Sequence, residues 1–91
     1  MSGSIWLEPF IGSIVVCDLD EFHVVIGTLS AASEHHVEFT AADLHDHREA
    51  NSTKEVYVLE TRKIGVRVNR AHVAVPLARL VAISRIEDVS P

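Results

Sequence analysis

Apolar positions crowd together between Ile14 and Leu29, in two β-branched runs, Ile14–Leu19 and Val24–Leu29, parted by the acidic turn Asp20-Glu21-Phe22. Residues of this kind fit a pleated surface, and the spacing suits a short hairpin. Neither run alternates strictly between apolar and polar, which favours a highly curved or fully covered sheet, as in a small barrel, over an open sheet with one wet face. Upstream, Ile5-Trp6-Leu7 precedes Pro9, Phe10, Ile11 and Gly12. Proline suits the first turn of a short helix and glycine its end. Trp6, Leu7, Phe10 and Ile11 are therefore expected to plug one open end of the sheet, with an exposed partner-binding patch as the alternative.

Past a small-residue turn at Ser30–Glu34, the stretch His35–Thr40 alternates: Val37 and Phe39 on one face, His36, Glu38 and Thr40 on the other. This predicts a third strand with one wetter face. The polar stretch Ala41–Asn51 reads as a loop, with room for one helical turn. Ser52-Thr-Lys-Glu55 has the form of a capping box and Gly65 that of a helix stop. A helix over Thr53–Ile64 would gather Val56, Tyr57, Leu59 and Ile64 in one arc, though Glu60 and Lys63 interrupt it and Glu55–Leu59 also reads as a strand. His72–Val75 and Leu80–Ser84 are the last two apolar runs, and Pro76, which cannot donate to a ladder, belongs at the end of their hairpin. The prediction is a mainly β fold: a small, strongly bent, five-stranded antiparallel barrel with a short N-terminal helix and a helix inserted between strands three and four.

The 91 residues make one domain, too small to enclose a large cofactor beside its own core, and 47% hydrophobic content excludes a disordered chain. No apolar run approaches the ~20 residues of a membrane helix, and no basic region precedes an apolar core at the N-terminus. Neither a membrane nor a signal peptide is expected, and Cys17, alone in mid-strand, fits a small buried hydrophobe in a reducing cytoplasm. The net charge of −5 is unevenly spread. Residues 1–47 hold eight acids and no Lys or Arg; residues 48–91 hold all eight basic residues and five acids, so the halves carry −8 and +3. Such a split can orient neighbouring subunits head to tail, or confine an anionic ligand to one rim.

Six histidines raise the question of a metal. The candidates are His45-x-His47, flanked by Asp43 and Asp46, and the pair His35-His36. Their spacing matches no closed zinc motif, no cysteine accompanies them, and a solvated loop is the better reading. No phosphate loop, nucleophile elbow or carboxylate pair on a known scaffold is present, so no enzyme, metal or cofactor is expected. Groups suited to nucleic acid are Arg62, Lys63, Arg67, Arg70, Arg79 and Arg85, with His36 and Tyr57 for stacking or hydrogen bonding.

Val15, Cys17 and Leu19, the turn at Asp20-Glu21-Phe22, and then Val25, Gly27 and Leu29 follow the first motif of the Sm-like (LSm) proteins without a gap. Val75-Pro76-Leu77-Ala78-Arg79-Leu80 aligns with the second motif, although Pro76-Leu77 replaces its Arg-Gly and Arg79 its asparagine. Phe22 stands at the usual turn glycine, Ser33 at an aspartate, and His36 or Val37 near the base-contacting asparagine. The chain thus resembles the Sm-like family in fold while departing from its RNA-pocket signature; another SH3-like barrel is the competing assignment. The resemblance implies a ring-shaped homo-oligomer joined through edge strands, holding single-stranded RNA without catalysis. It also implies Arg79 and His36 at the central opening; Arg67 and Arg70 are further RNA-binding candidates from the basic residues themselves, not from the resemblance. The alternative is a structural or protein-interaction module that kept the barrel and lost RNA.

Overall fold

The computed structural model describes residues 5–49 and 53–90. Five antiparallel strands, β1 (Ile14–Asp18), β2 (His23–Ala32), β3 (His36–Asp46), β4 (Arg70–Pro76) and β5 (Ala82–Arg85), form one sheet in the order β4-β3-β2-β1-β5. One helix, α1 (Lys54–Ile64), joins β3 to β4, and a 3-10 helix, Ile5–Phe10, leads the chain. The sheet is not closed. Its ladder ends at β4 on one side and β5 on the other, so the expected barrel is an open sheet in the single chain.

The apolar character of β1 and β2 on both faces has a direct cause, because two cores flank them. Val15, Cys17, Val25, Leu29, Val37, Phe39 and Val75 gather on the concave face, with Ile83 of β5 packed against them, so all five strands curl around one cluster. Val16, Val24 and Ile26 point the other way and meet Tyr57 and Val58 of α1, with Ile86 and Val89 of the C-terminal segment. Cys17 is fully buried, and that burial pushes its thiol up to about 12.

The sheet bends where β2 and β3 lose register, between Ile26↔Asp43 and Thr28↔Thr40. Gly27 lies at this break: a Cβ there would stand 2.8 Å from both Cα and Cβ of Ala42. Ala41, on the facing strand, takes a positive φ of 48°, as the extra residue of a bulge does. The stretch from Ala41 to Asp46, expected as loop, is thus the second half of β3. Its polar residues are accommodated because Asp43 and His45 turn toward Tyr57.

The inserted segment is helical, as the capping pattern suggested, but the observed cap is Thr53, whose hydroxyl accepts from the Val56 amide at 3.2 Å. Ser52 lies outside the described residues. Gly65 closes the helix with φ 99°. The buried arc is Tyr57, Val58 and Thr61 rather than the expected Val56, Tyr57, Leu59 and Ile64; Ile64 is 71% exposed. Thr61 enters the arc because its hydroxyl donates to the carbonyl of Tyr57 one turn back. At the N-terminus Leu7 is buried and Phe10 packs on the concave core, whereas Trp6 and Ile11 are 52% and 44% exposed. Only half of the expected plug is therefore inside.

Candidate functional site

The β1–β2 turn is built without glycine. Asp20 Oδ1 accepts from the amides of Phe22 (2.8 Å) and His23 (2.7 Å), so the carboxylate does the work of the turn. These two amides, first His23 and then Phe22, hold its pKa down at about 2. His23 lies between two carboxylates, with Nδ1 3.1 Å from Asp20 and Nε2 3.6 Å from Asp46. Arg48 donates through Nε and Nη2 to Asp46, holding that carboxyl far below its ordinary range, and its guanidinium covers the Phe22 ring at 4.3 Å.

Arg79 reaches this cluster from the turn between β4 and β5. Pro76 ends β4, a 3-10 turn Leu77–Arg79 follows, and the Arg79 side chain stands 67% exposed with Nη2 4.0 Å from Asp20 Oδ2. At that distance the pair is a loose ion pair rather than a hydrogen bond. Beside it runs a cleft of about 270 Å³ with Leu19, Leu44, Val73 and Val75 on its walls and Asp20, His23 and Arg79 among its lining. The cleft is thus an apolar slot with an exposed cation and polar groups at its edge.

His36 lies elsewhere. It opens β3 on the wetter face, as expected, and forms a chain with its neighbours: Ser33 Oγ at 3.1 Å from Nδ1, and Glu38 Oε2 at 3.1 Å from Nε2. His72 of β4 takes the other Glu38 oxygen at 2.9 Å, and these two imidazoles, His36 first, lower the Glu38 pKa. A serine–histidine–carboxylate order invites comparison with nucleophilic catalysis. The Ser33 oxygen, however, accepts from the amides of His35 and His36, and so clamps the β2–β3 turn.

Arg67 and Arg70 flank the start of β4. The Arg67 guanidinium covers the Tyr57 ring at 4.6 Å while His45 stacks on the same ring with centroids 3.5 Å apart. The Tyr57 hydroxyl donates to buried Asp43, whose other oxygen accepts from Asn69 Nδ2 at 2.9 Å. Burial first, then the Asp43 hydrogen bond, raises the Tyr57 pKa. Arg67 thus helps to seat α1, and Arg70 is exposed, donating to the Asn69 carbonyl.

No hydrogen bond or ion pair among the described residues joins any two of Arg79, His36, Arg67 and Arg70. His45 is engaged with Tyr57, and His47 with the Glu21 carbonyl and the Phe22 ring; no group of three or more His, Cys, Asp or Glu side chains among the described residues is placed to hold a metal ion. The sequence did not single out Asp20 and His23, which line the cleft. One sequence signal for a basic surface was available: residues 61–86 contain six of the eight basic residues and no acid. Among the described residues no helix is long and apolar enough to cross a membrane. Comparison with protein-family models, curated proteins and solved structures finds no match to this chain.

Proposed function

We propose that this protein is a non-catalytic, Sm-like RNA-binding protein of the cytoplasm, which assembles into a ring-shaped homo-oligomer and holds single-stranded RNA. The observation that carries the reading is the pair of open edges. β4 and β5 are outermost in a sheet that already curls around one core, and each has a row of ladder groups available to a neighbour. Pairing β4 of one copy with β5 of the next continues every sheet and repeats around a closed ring. Each edge left open in the single chain is then paired with a neighbouring subunit.

In such a ring one Arg79 per subunit repeats around the opening, as the Sm-like resemblance implies. A circle of loosely held guanidinium groups concentrates positive potential even on a subunit of net −5, since the Debye length is only ~8 Å at physiological salt. A second reading, a protein-interaction module with the same sheet and no RNA, is favoured by the engagement of His36 with Glu38 and the proximity of Arg79 to Asp20. Fluorescence anisotropy with short oligo-U and oligo-A at two salt concentrations separates the two. RNA binding predicts a saturable rise for wild type that weakens steeply with salt and is lost in Arg79→Ala. Negligible anisotropy for both proteins at low salt discards RNA and leaves the interaction module. Binding unchanged in Arg79→Ala moves the site to Arg62, Lys63, Arg67 and Arg70.

A further inference from the structure

The cleft beside Arg79 joins an apolar slot to two opposite charges within one chain. Its walls are branched aliphatics: Leu19, Leu44 and Val73 are half-buried against the concave core, and Val75 is buried in it. Asp20 is a fixed charge. Its Oδ1 is committed to the amides of Phe22 and His23, so the carboxylate cannot swing away, and these amides, His23 first, keep it ionised with a pKa of about 2. Its Oδ2 has the His23 ring at 3.1 Å and Arg79 Nη2 at 4.0 Å. The exposed guanidinium donates no hydrogen bond to any of the described residues, so it can turn to an incoming acceptor.

The charge pattern restricts what the slot can hold. A small molecule with only an anionic group meets Asp20, and one with only a cationic group meets Arg79. A neutral apolar molecule takes both charges out of water and pairs with neither, at a cost in desolvation. An α-amino acid escapes all three difficulties, because its ammonium and carboxylate branch from the same carbon as its side chain. The cleft volume of about 270 Å³ lies just under the ~300–1,000 Å³ of pockets for drug-sized ligands and suits a smaller molecule. We propose that this cleft is a binding site for a free apolar α-amino acid, with its ammonium on Asp20 Oδ2, its carboxylate on Arg79, and its side chain among Leu19, Leu44, Val73 and Val75. Peptides are excluded, because their two charged ends are separated by the length of the chain. The site belongs to one chain and depends neither on the ring nor on RNA.

An NMR titration of the full chain with L-leucine, following the methyl signals of Leu44 and Val73, tests the site. Saturable shifts at these methyls are expected. Leucinamide, which lacks the carboxylate, 4-methylpentanoate, which lacks the ammonium, and glycine, which lacks the side chain, should each bind at least about tenfold more weakly, as loss of a charged hydrogen bond or of apolar burial implies. Arg79→Gln should weaken leucine to the same degree. Asp20→Asn keeps an Oδ1 acceptor for the turn and removes the charge, so it should weaken leucine while strengthening 4-methylpentanoate, a reversal that a merely structural role for Asp20 would not produce. Circular dichroism checks that both variants are folded. Leucine leaving these methyls unmoved up to its solubility overturns the site. Wild type binding 4-methylpentanoate or leucinamide as tightly as leucine overturns the paired recognition of both charges. Loss of RNA binding or of assembly in separate assays would leave these results standing.

Discussion

Gly27→Ala perturbs the fold where β2 and β3 lose register. The added methyl carbon would lie 2.8 Å from Ala42 Cα, 2.8 Å from Ala42 Cβ and 3.2 Å from the Thr40 carbonyl oxygen. None of these atoms is the free end of a flexible side chain, and Ala42 is fully buried in the concave core, so the strands must separate. Overpacking of this kind costs about 1–3 kcal/mol. The rigidity of the obstacle argues for the upper half of that range, about 2–3 kcal/mol. For a domain of this size each kcal/mol moves the melting temperature by about 4–8 °C, so a fall of about 8–24 °C is expected. The assay is urea unfolding at one fixed protomer concentration, because assembly contributes to apparent stability. The midpoint should fall with the slope unchanged. A variant within about 0.5 kcal/mol of wild type, the range of an ordinary surface substitution, would show that the close approach of Gly27 to Ala42 does not exist.

The chain has one tyrosine, so tyrosinate absorbance reports Tyr57 alone, and it should appear above the ordinary value near 10. Because the folded pKa is raised, its stabilisation is complete below the unfolded pKa and is lost as pH climbs through the folded one; a titration at or below 10 would contradict the buried Asp43 hydrogen bond. Thr53→Ala should cost about 0.5–2 kcal/mol by chemical denaturation, and no change would place the helix cap elsewhere. Cys17, with its thiol pushed up to about 12, should react slowly with a disulfide reagent at pH 8 in the native protein and stoichiometrically once unfolded. Rapid native labelling would contradict its burial.

Legibility of the fold in the sequence followed the range of the interactions. The strands β1 and β2 were readable because β-branched residues declare themselves locally, and their two-sided apolarity foretold cover on both faces, which the concave core and α1 supply. The second half of β3 was not readable. Asp43 and His45 look like loop residues until Tyr57, on a helix that follows, arrives to pair with both. The buried arc of α1 departs from expectation for a local reason: Thr61 goes inward by donating to the Tyr57 carbonyl one turn back, while Ile64 stays in solvent. The N-terminal plug erred through Trp6 and Ile11, large apolar residues left half-exposed. At the candidate site, Arg79 could be singled out by its alignment with the Sm-like second motif. Its neighbour Asp20 could not, because the two meet only when the turn after β4 folds back toward the β1–β2 hairpin.

Ring formation is the claim on which the edge pairing and the circle of Arg79 side chains both depend. Light scattering coupled to gel filtration at micromolar concentration measures it without a ligand or a mutation. Assembly through β4 and β5 predicts a single species whose mass is a whole multiple, three or more, of the 10.0 kDa chain. A sharp peak at 10.0 kDa across the concentration range would contradict it.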